Sequence, residues 1–290
     1  MQRIGERGQA SPEWLGLVLL VALALAGAAA GGLPVPGAGL ARAVAARIVC
    51  AAGFADRCGE RGALALAYGP ELAALVAEHA PSLDYEEGMR AVPVDFRSCR
   101  ADACAEGAET GPVRESLTGE PVTAFVHVID CRDDTAAQRQ GYDCLGARTG
   151  RVYVQYWLYY PGSATARAVL GDRGYHRDDW ESFQVRIASG QVVVARASSH
   201  NGYNGSSGDW LSDSGLVEKP GWAESSGRYF ISGGSHAGRI GGGRVVRRTG
   251  AAAIRLVPIE SLTGLGRFAF AVSPPWAKRV YRDPEYRGTD

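Results

Sequence analysis

From position 179 to 187 the chain alternates with period two: Asp179, Glu181, Phe183, Val185 and Ile187 fall on one face of a strand, and Trp180, Ser182, Gln184 and Arg186 on the other. Two carboxylates therefore lead the apolar face. Short apolar runs separated by Gly, Ser and Asp recur after Asp84, at 122–130, 151–160, 180–187, 192–198, 228–232 and 252–258, which is how an all-β body reads. No strand-helix alternation accompanies them, so a parallel α/β sheet is disfavoured. Before this body the pattern changes twice. Alanine-rich stretches at 40–49 and 63–79 predict short helices broken around Gly59 and Gly62 and ended by Pro81. Further upstream no charge occurs from Trp14 to Ala41, and 14–30 is nearly all aliphatic, close to the roughly 20 residues that span a bilayer. The expected organisation is a signal and membrane anchor at 1–32, a helical neck at 33–78 and a β-sandwich at 79–290.

Composition adds limits. The 290 residues carry 31 basic and 31 acidic side chains, with no basic stripe, so nucleic acid is excluded as the expected partner, since phosphate neutralisation supplies most of that affinity. Arg3 and Arg7 precede the apolar segment and Arg42 and Arg47 follow it, which favours a cytoplasmic N-terminus and a single-pass protein with its body outside. Gly8-Gln9, with Glu13 five residues after the glycine, resembles the processing site of type IV prepilin-like and Tad-pilus-like proteins. Cleavage there leaves the helix on the mature chain; a cut near Ala28, Ala29 and Ala30 gives a secreted form instead. The six cysteines suit an oxidising compartment, and neighbour pairing is the simplest of 15 connectivities: Cys50 with Cys58, Cys99 with Cys104, Cys131 with Cys144.

The chemistry-bearing residues gather around the acid pair. A carboxylate on a core-facing line is costly unless a cation, an arginine or several donors meet it, and oxygen-rich sites with one imidazole suit hard divalent ions: calcium, magnesium or manganese rather than zinc. His176, His200 and His236 stand in polar junctions at strand ends, whereas His127 lies inside an apolar strand and reads as a hydrogen-bonded core residue. Tyr203, Trp210 and Trp222 sit in a polar loop region where rings can hold a glycan or a lipid headgroup. Gly234-Ser235-His236-Ala237 lacks the second glycine of a nucleophile elbow. Asp179 and Glu181 point the same way, so they do not flank a sugar bond.

Five ordered blocks carry a resemblance: His79 to Tyr85 with Pro93-Val94-Asp95, Gln155 to Pro161, His176 to Val185, Ser199-His200, and Tyr229 to Ala237. Together they resemble the vacuolar-protein-sorting-associated family of the "sixty-two" type. The stretch from His176 to Glu181 is also similar to the core of necrosis-inducing Nep-like toxins, β-sandwiches that hold a divalent ion at a cleft engaging membrane sphingolipids. The toxin resemblance implies His176, Asp179 and Glu181 as metal ligands, with Asp172 standing nearest to a further upstream aspartate; His200 and His236, from the polar strand-end junctions, join them as additional site residues. Asp178 departs, since the toxins have histidine there, and is expected to point away. The resulting expectation is a membrane-anchored exported protein that binds a divalent cation and a glycan or lipid headgroup. Two rivals stand beside it: a zinc-dependent hydrolase built on the histidines, and a pilus or cell-envelope component.

Overall fold

In the computed structural model of the chain, the described residues are 60–87, 89, 91–99, 121–164, 175–188, 193–199, 202–204, 221–241, 245–261 and 268–288. The longest strands are the two with the clearest apolar pattern, β3 (Val152–Ala164) and β4 (Tyr175–Ile187). They pair antiparallel in one unbroken register, with Gln155 opposite Gln184 and Tyr160 opposite Asp179. Around them the larger sheet runs β11 (Arg255–Pro258), β2 (Thr123–Asp130), β3, β4, β5 (Val193–Ser199) and β6 (Gly202–Asn204), with β7 (Ala223–Glu224) also on β5. A smaller sheet orders β10 (Val245–Thr249), β1 (Ser82–Glu86), β8 (Arg228–Ile231) and β9 (Gly238–Ile240). Each sheet contains one parallel pair, β11 with β2 and β1 with β8, so the body is mainly β with two mixed sheets.

One core lies between the sheets. Leu83, Tyr85, Tyr229, Ile231 and Ile240 of the smaller sheet meet Val126, Val154, Tyr156, Leu158, Phe183 and Val185 of the larger. The larger sheet is buried on its other face too, where Phe125, Trp157, Tyr159 and Trp180 pack with Phe96, Val257 and Val280. Burial on both faces explains why 152–160 is apolar almost throughout, rather than alternating with polar residues.

The helices join this core. Leu64 of α1 (Glu60–Tyr68) and Ala73 and Val76 of α2 (Pro70–Glu78) are buried in it, and the Tyr156 hydroxyl donates to the Val76 carbonyl at 2.6 Å. Residues 60–78 of the expected neck thus share the core of the β body. Of the break expected around Gly59 and Gly62, Gly59 lies outside the described residues, and within 60–78 the chain breaks at Gly69. Gly62 lies inside α1, whereas Gly69, at φ 84, takes the left-handed turn that glycine tolerates, and Pro70 opens α2 where its missing N–H costs nothing.

Residues 268–288 form no strand. They cross the outer face of the larger sheet and present carbonyls to its side chains: Val280 accepts from Gln155 Nε2 at 2.8 Å, Tyr281 from His127 Nε2 at 3.0 Å, and Pro284 from Arg196 Nη2 at 2.8 Å. Cys131 and Cys144 form the neighbouring disulfide that their spacing suggests, around the short α3 (Asp134–Arg139), and Cys99 is disulfide-bonded as well. Among the described residues no helix is long and apolar enough to cross a membrane. The apolar segment, Gly8, Gln9, Glu13, Cys50, Cys58, Cys104, Asp172, His200 and Trp210 lie outside the described residues.

Candidate functional site: a buried acid pair between the sheets

Alternation along β4 turns Asp179 and Glu181 to the same side as Phe183 and Val185, into the core between the sheets. They are 7% and 8% exposed. Asp179 meets His236 Nδ1 through Oδ2 at 2.8 Å. Glu181 accepts a short hydrogen bond from the Ser198 hydroxyl, which in turn accepts the Ser182 N–H at 2.5 Å. Neither carboxylate makes an ion pair with an arginine or lysine among the described residues.

The opposite sheet delivers His236. It sits in the connection between β8 and β9, closed by Ser232 N–H donating to the Ala237 carbonyl at 3.0 Å and held to β3 by the Ser163 hydroxyl donating to the Gly234 carbonyl at 3.2 Å. Its backbone is left-handed, at φ 54, a conformation uncommon outside glycine that histidine tolerates better than most residues. Tyr160, the cross-strand neighbour of Asp179, stacks on the imidazole at 3.9 Å and 7°. If Nδ1 carries the proton toward Asp179, Nε2 keeps its lone pair; it is buried with no hydrogen-bond partner.

Among the described residues Asp178 is the other left-handed residue that is not a glycine, at φ 59. Its carboxylate points to the far side of the sheet, accepting the Tyr159 hydroxyl at 2.7 Å and the Ala271 N–H at 2.8 Å. The C-terminal segment and β3 therefore grip the residue immediately before Asp179.

Electrostatics make the pair unusual. Burial pushes the Glu181 carboxyl well above the usual range, the adjacent Asp179 adds to that, and the Ser198 hydrogen bond and Lys278 oppose it. Like charges in a poorly solvated interior repel, so such a pair favours a proton or a cation. Two neutral phenols, Tyr160 and Tyr229, lie within electrostatic reach of the pair.

The structure thus brings Asp179, Glu181 and His236 together. His176 Nδ1 is likewise buried without a partner, but among the described residues no three His, Cys, Asp or Glu side chains form a closed ligand group, whether His176 or His236 is set beside Asp179 and Glu181. The odd separation of His176 from Asp179 works against a shared strand face. Tyr203 and Trp222 are engaged within the fold. Arg196, itself buried, lies 3.9 Å over the Tyr203 ring and 4.4 Å over that of Trp222, whose indole N–H donates to Glu285 at 2.8 Å. Ser198, Tyr160 and Tyr229 were not foreseen as site residues; the apolar runs that contain the two tyrosines read as ordinary packing, and only the fold shows that their hydroxyls lack partners of good geometry.

No family model, no curated protein and no solved structure matches the chain. The likeness to the "sixty-two"-type family and to the Nep-like toxins is therefore carried by the motifs alone.

Proposed function

We propose that the acid pair holds a divalent cation, and that through it this protein engages a polar ligand, a glycan or a lipid headgroup, as an exported, membrane-anchored β-sandwich. One observation carries the reading: two carboxylates, buried side by side among neutral hydroxyls and one imidazole, without a guanidinium or ammonium contact among the described residues. A divalent ion supplies the missing charge, and an oxygen-rich donor set suits calcium, magnesium or manganese. His236, oriented by Asp179, supplies the imidazole. The two-sheet body with its shared core supports the sandwich, and the apolar N-terminal segment supports the anchor. A three-imidazole zinc hydrolase has less support, because the described donors are mainly oxygen.

The test is thermal unfolding of wild type and Asp179→Ala with calcium, magnesium or manganese added. An ion that binds only the folded state stabilises it by about 2.7 kcal/mol at 100 times the dissociation constant, so the midpoint rises with ion concentration. That rise is expected in wild type and absent in the variant. No rise in wild type with any of the three ions overturns the proposal.

A further inference from the structure

We infer that Tyr160 and Tyr229 complete the cation's shell with their phenol oxygens, one from each sheet, so that the bound ion ties the four-stranded sheet to the seven-stranded one. The inference rests on the cation reading above. Its starting point is a contrast among tyrosines of one core. Tyr156 and Tyr85 are as buried as Tyr160 and Tyr229, yet Tyr156 donates to the Val76 carbonyl at 2.6 Å and Tyr85 pairs with the Thr249 hydroxyl at 3.1 Å. Tyr160 has no hydrogen-bond partner, and Tyr229 has none of good geometry, a weak interaction with the Ser198 hydroxyl aside. A buried hydroxyl left unpaired costs about 1–3 kcal/mol, so two at one place mark a site that something else fills.

Placement points to the same centre. Tyr160 stands opposite Asp179 in the β3–β4 register. Tyr229 comes from the facing sheet, and its ring lies so close to Gly238 that a Cβ there would sit 2.0 Å from a ring carbon. Gly238 follows His236 by two residues, so the absence of its side chain lets the ring settle beside the segment that carries the imidazole. Both phenols lie within electrostatic reach of Asp179 and Glu181. Ser198, which stands near Tyr229, already serves Glu181.

The chemistry is consistent. Two carboxylates neutralise a divalent ion, and neutral phenol oxygens then add donors without adding charge. Because the donors come from β3, β4 and β8, the ion cross-links the sheets across their shared core.

The experiment titrates the full chain with manganese or calcium alone, by calorimetry, and measures unfolding without the ion. Tyr160→Phe and Tyr229→Phe keep the rings and remove only hydroxyls without a partner of good geometry, so both fold with a midpoint equal to or above wild type. Each is expected to bind the ion about 10-fold more weakly. Tyr156→Phe, which removes a paired hydroxyl, loses ion-free stability and keeps wild-type affinity. Wild-type affinity in both Tyr160→Phe and Tyr229→Phe overturns the inference while leaving the cation site standing. No binding in wild type overturns the cation reading itself.

Discussion

Replacing Asp178 with alanine tests how the acid pair is aimed. Asp178 is 3% exposed, left-handed at φ 59, and accepts the Tyr159 hydroxyl and the Ala271 N–H on the side of the sheet away from Asp179. Removing the carboxylate takes away the acceptor of the fully buried Tyr159 hydroxyl's 2.7 Å hydrogen bond, at about 1–3 kcal/mol. Ala271 is exposed, so water replaces its lost bond at small net cost. Alanine also tolerates the left-handed region less well than aspartate, at about 1 kcal/mol. The sum is about 3 kcal/mol, which in a domain of about 200 residues corresponds to a midpoint lower by roughly 10 °C. Asparagine keeps both an acceptor and tolerance of the left-handed backbone, so Asp178→Asn is expected to lose no more than about 1 kcal/mol. Urea unfolding with the slope checked for constancy gives the numbers. An alanine variant within about 1 kcal/mol of wild type refutes the gripping role. So does a variant of wild-type stability that no longer responds to cation, because Asp178 would then be a ligand rather than a brace.

Other consequences follow from the same geometry. Glu285 accepts from Tyr153 at 2.7 Å, Trp222 at 2.8 Å, Arg186 at 3.0 Å and Arg151 at 3.2 Å, so Glu285→Ala is expected to cost more than about 2 kcal/mol in urea unfolding and to loosen the C-terminal segment. For Glu285 and Asp95, burial raises the carboxyl pKa, but the surrounding donors outweigh it: Tyr153, Arg186 and Trp222 around Glu285, and Arg97 and Arg255 around Asp95. Both carboxyls are therefore held below their ordinary range. Their stabilisation is present above the unfolded pKa of about 4 and is lost as pH falls through the depressed values, so midpoints measured from pH 7 to pH 3 drop at the acid end and Glu285→Gln flattens part of that drop. Gly238→Ala sets a methyl group against the Tyr229 ring and is expected to cost about 1–3 kcal/mol of stability; a neutral result would show that the ring moves aside freely.

How much of this was legible in the chain depended on range. The strands that alternate or run apolar over seven or more residues, β2 to β5, were readable within one or two positions at most of their ends, and so was the direction of Asp179 and Glu181, because side-chain facing is a local property. Of the short strands, β8 and β11 fall within the expected runs at 228–232 and 252–258, whereas β1, β6, β7, β9 and β10 escaped. In β1 the inward residues are only Leu83 and Tyr85, and Asp84 between them is buried under Arg228 and Arg248, a compensation from β8 and β10 that no local pattern announces. The C-terminal segment escaped for a related reason: its carbonyls satisfy Gln155, His127 and Arg196 from irregular backbone, which has no period to detect. At the site, His236 was marked by its glycine-rich surroundings, but its pairing with Asp179 spans 57 positions and required the facing sheet. Tyr203 and Trp222 looked available because they lie in a polar stretch; a buried arginine 12 residues beyond Gln184 takes up their faces instead.

The most direct test of the central claim is an anomalous-difference map from manganese-soaked crystals of the protein. The account predicts an ion between the carboxylates of Asp179 and Glu181, with ligand oxygens at about 2.0–2.6 Å, and with the phenol oxygens of Tyr160 and Tyr229 facing it. A map with no peak at the acid pair under conditions that saturate other sites, or with manganese bound only elsewhere, contradicts it.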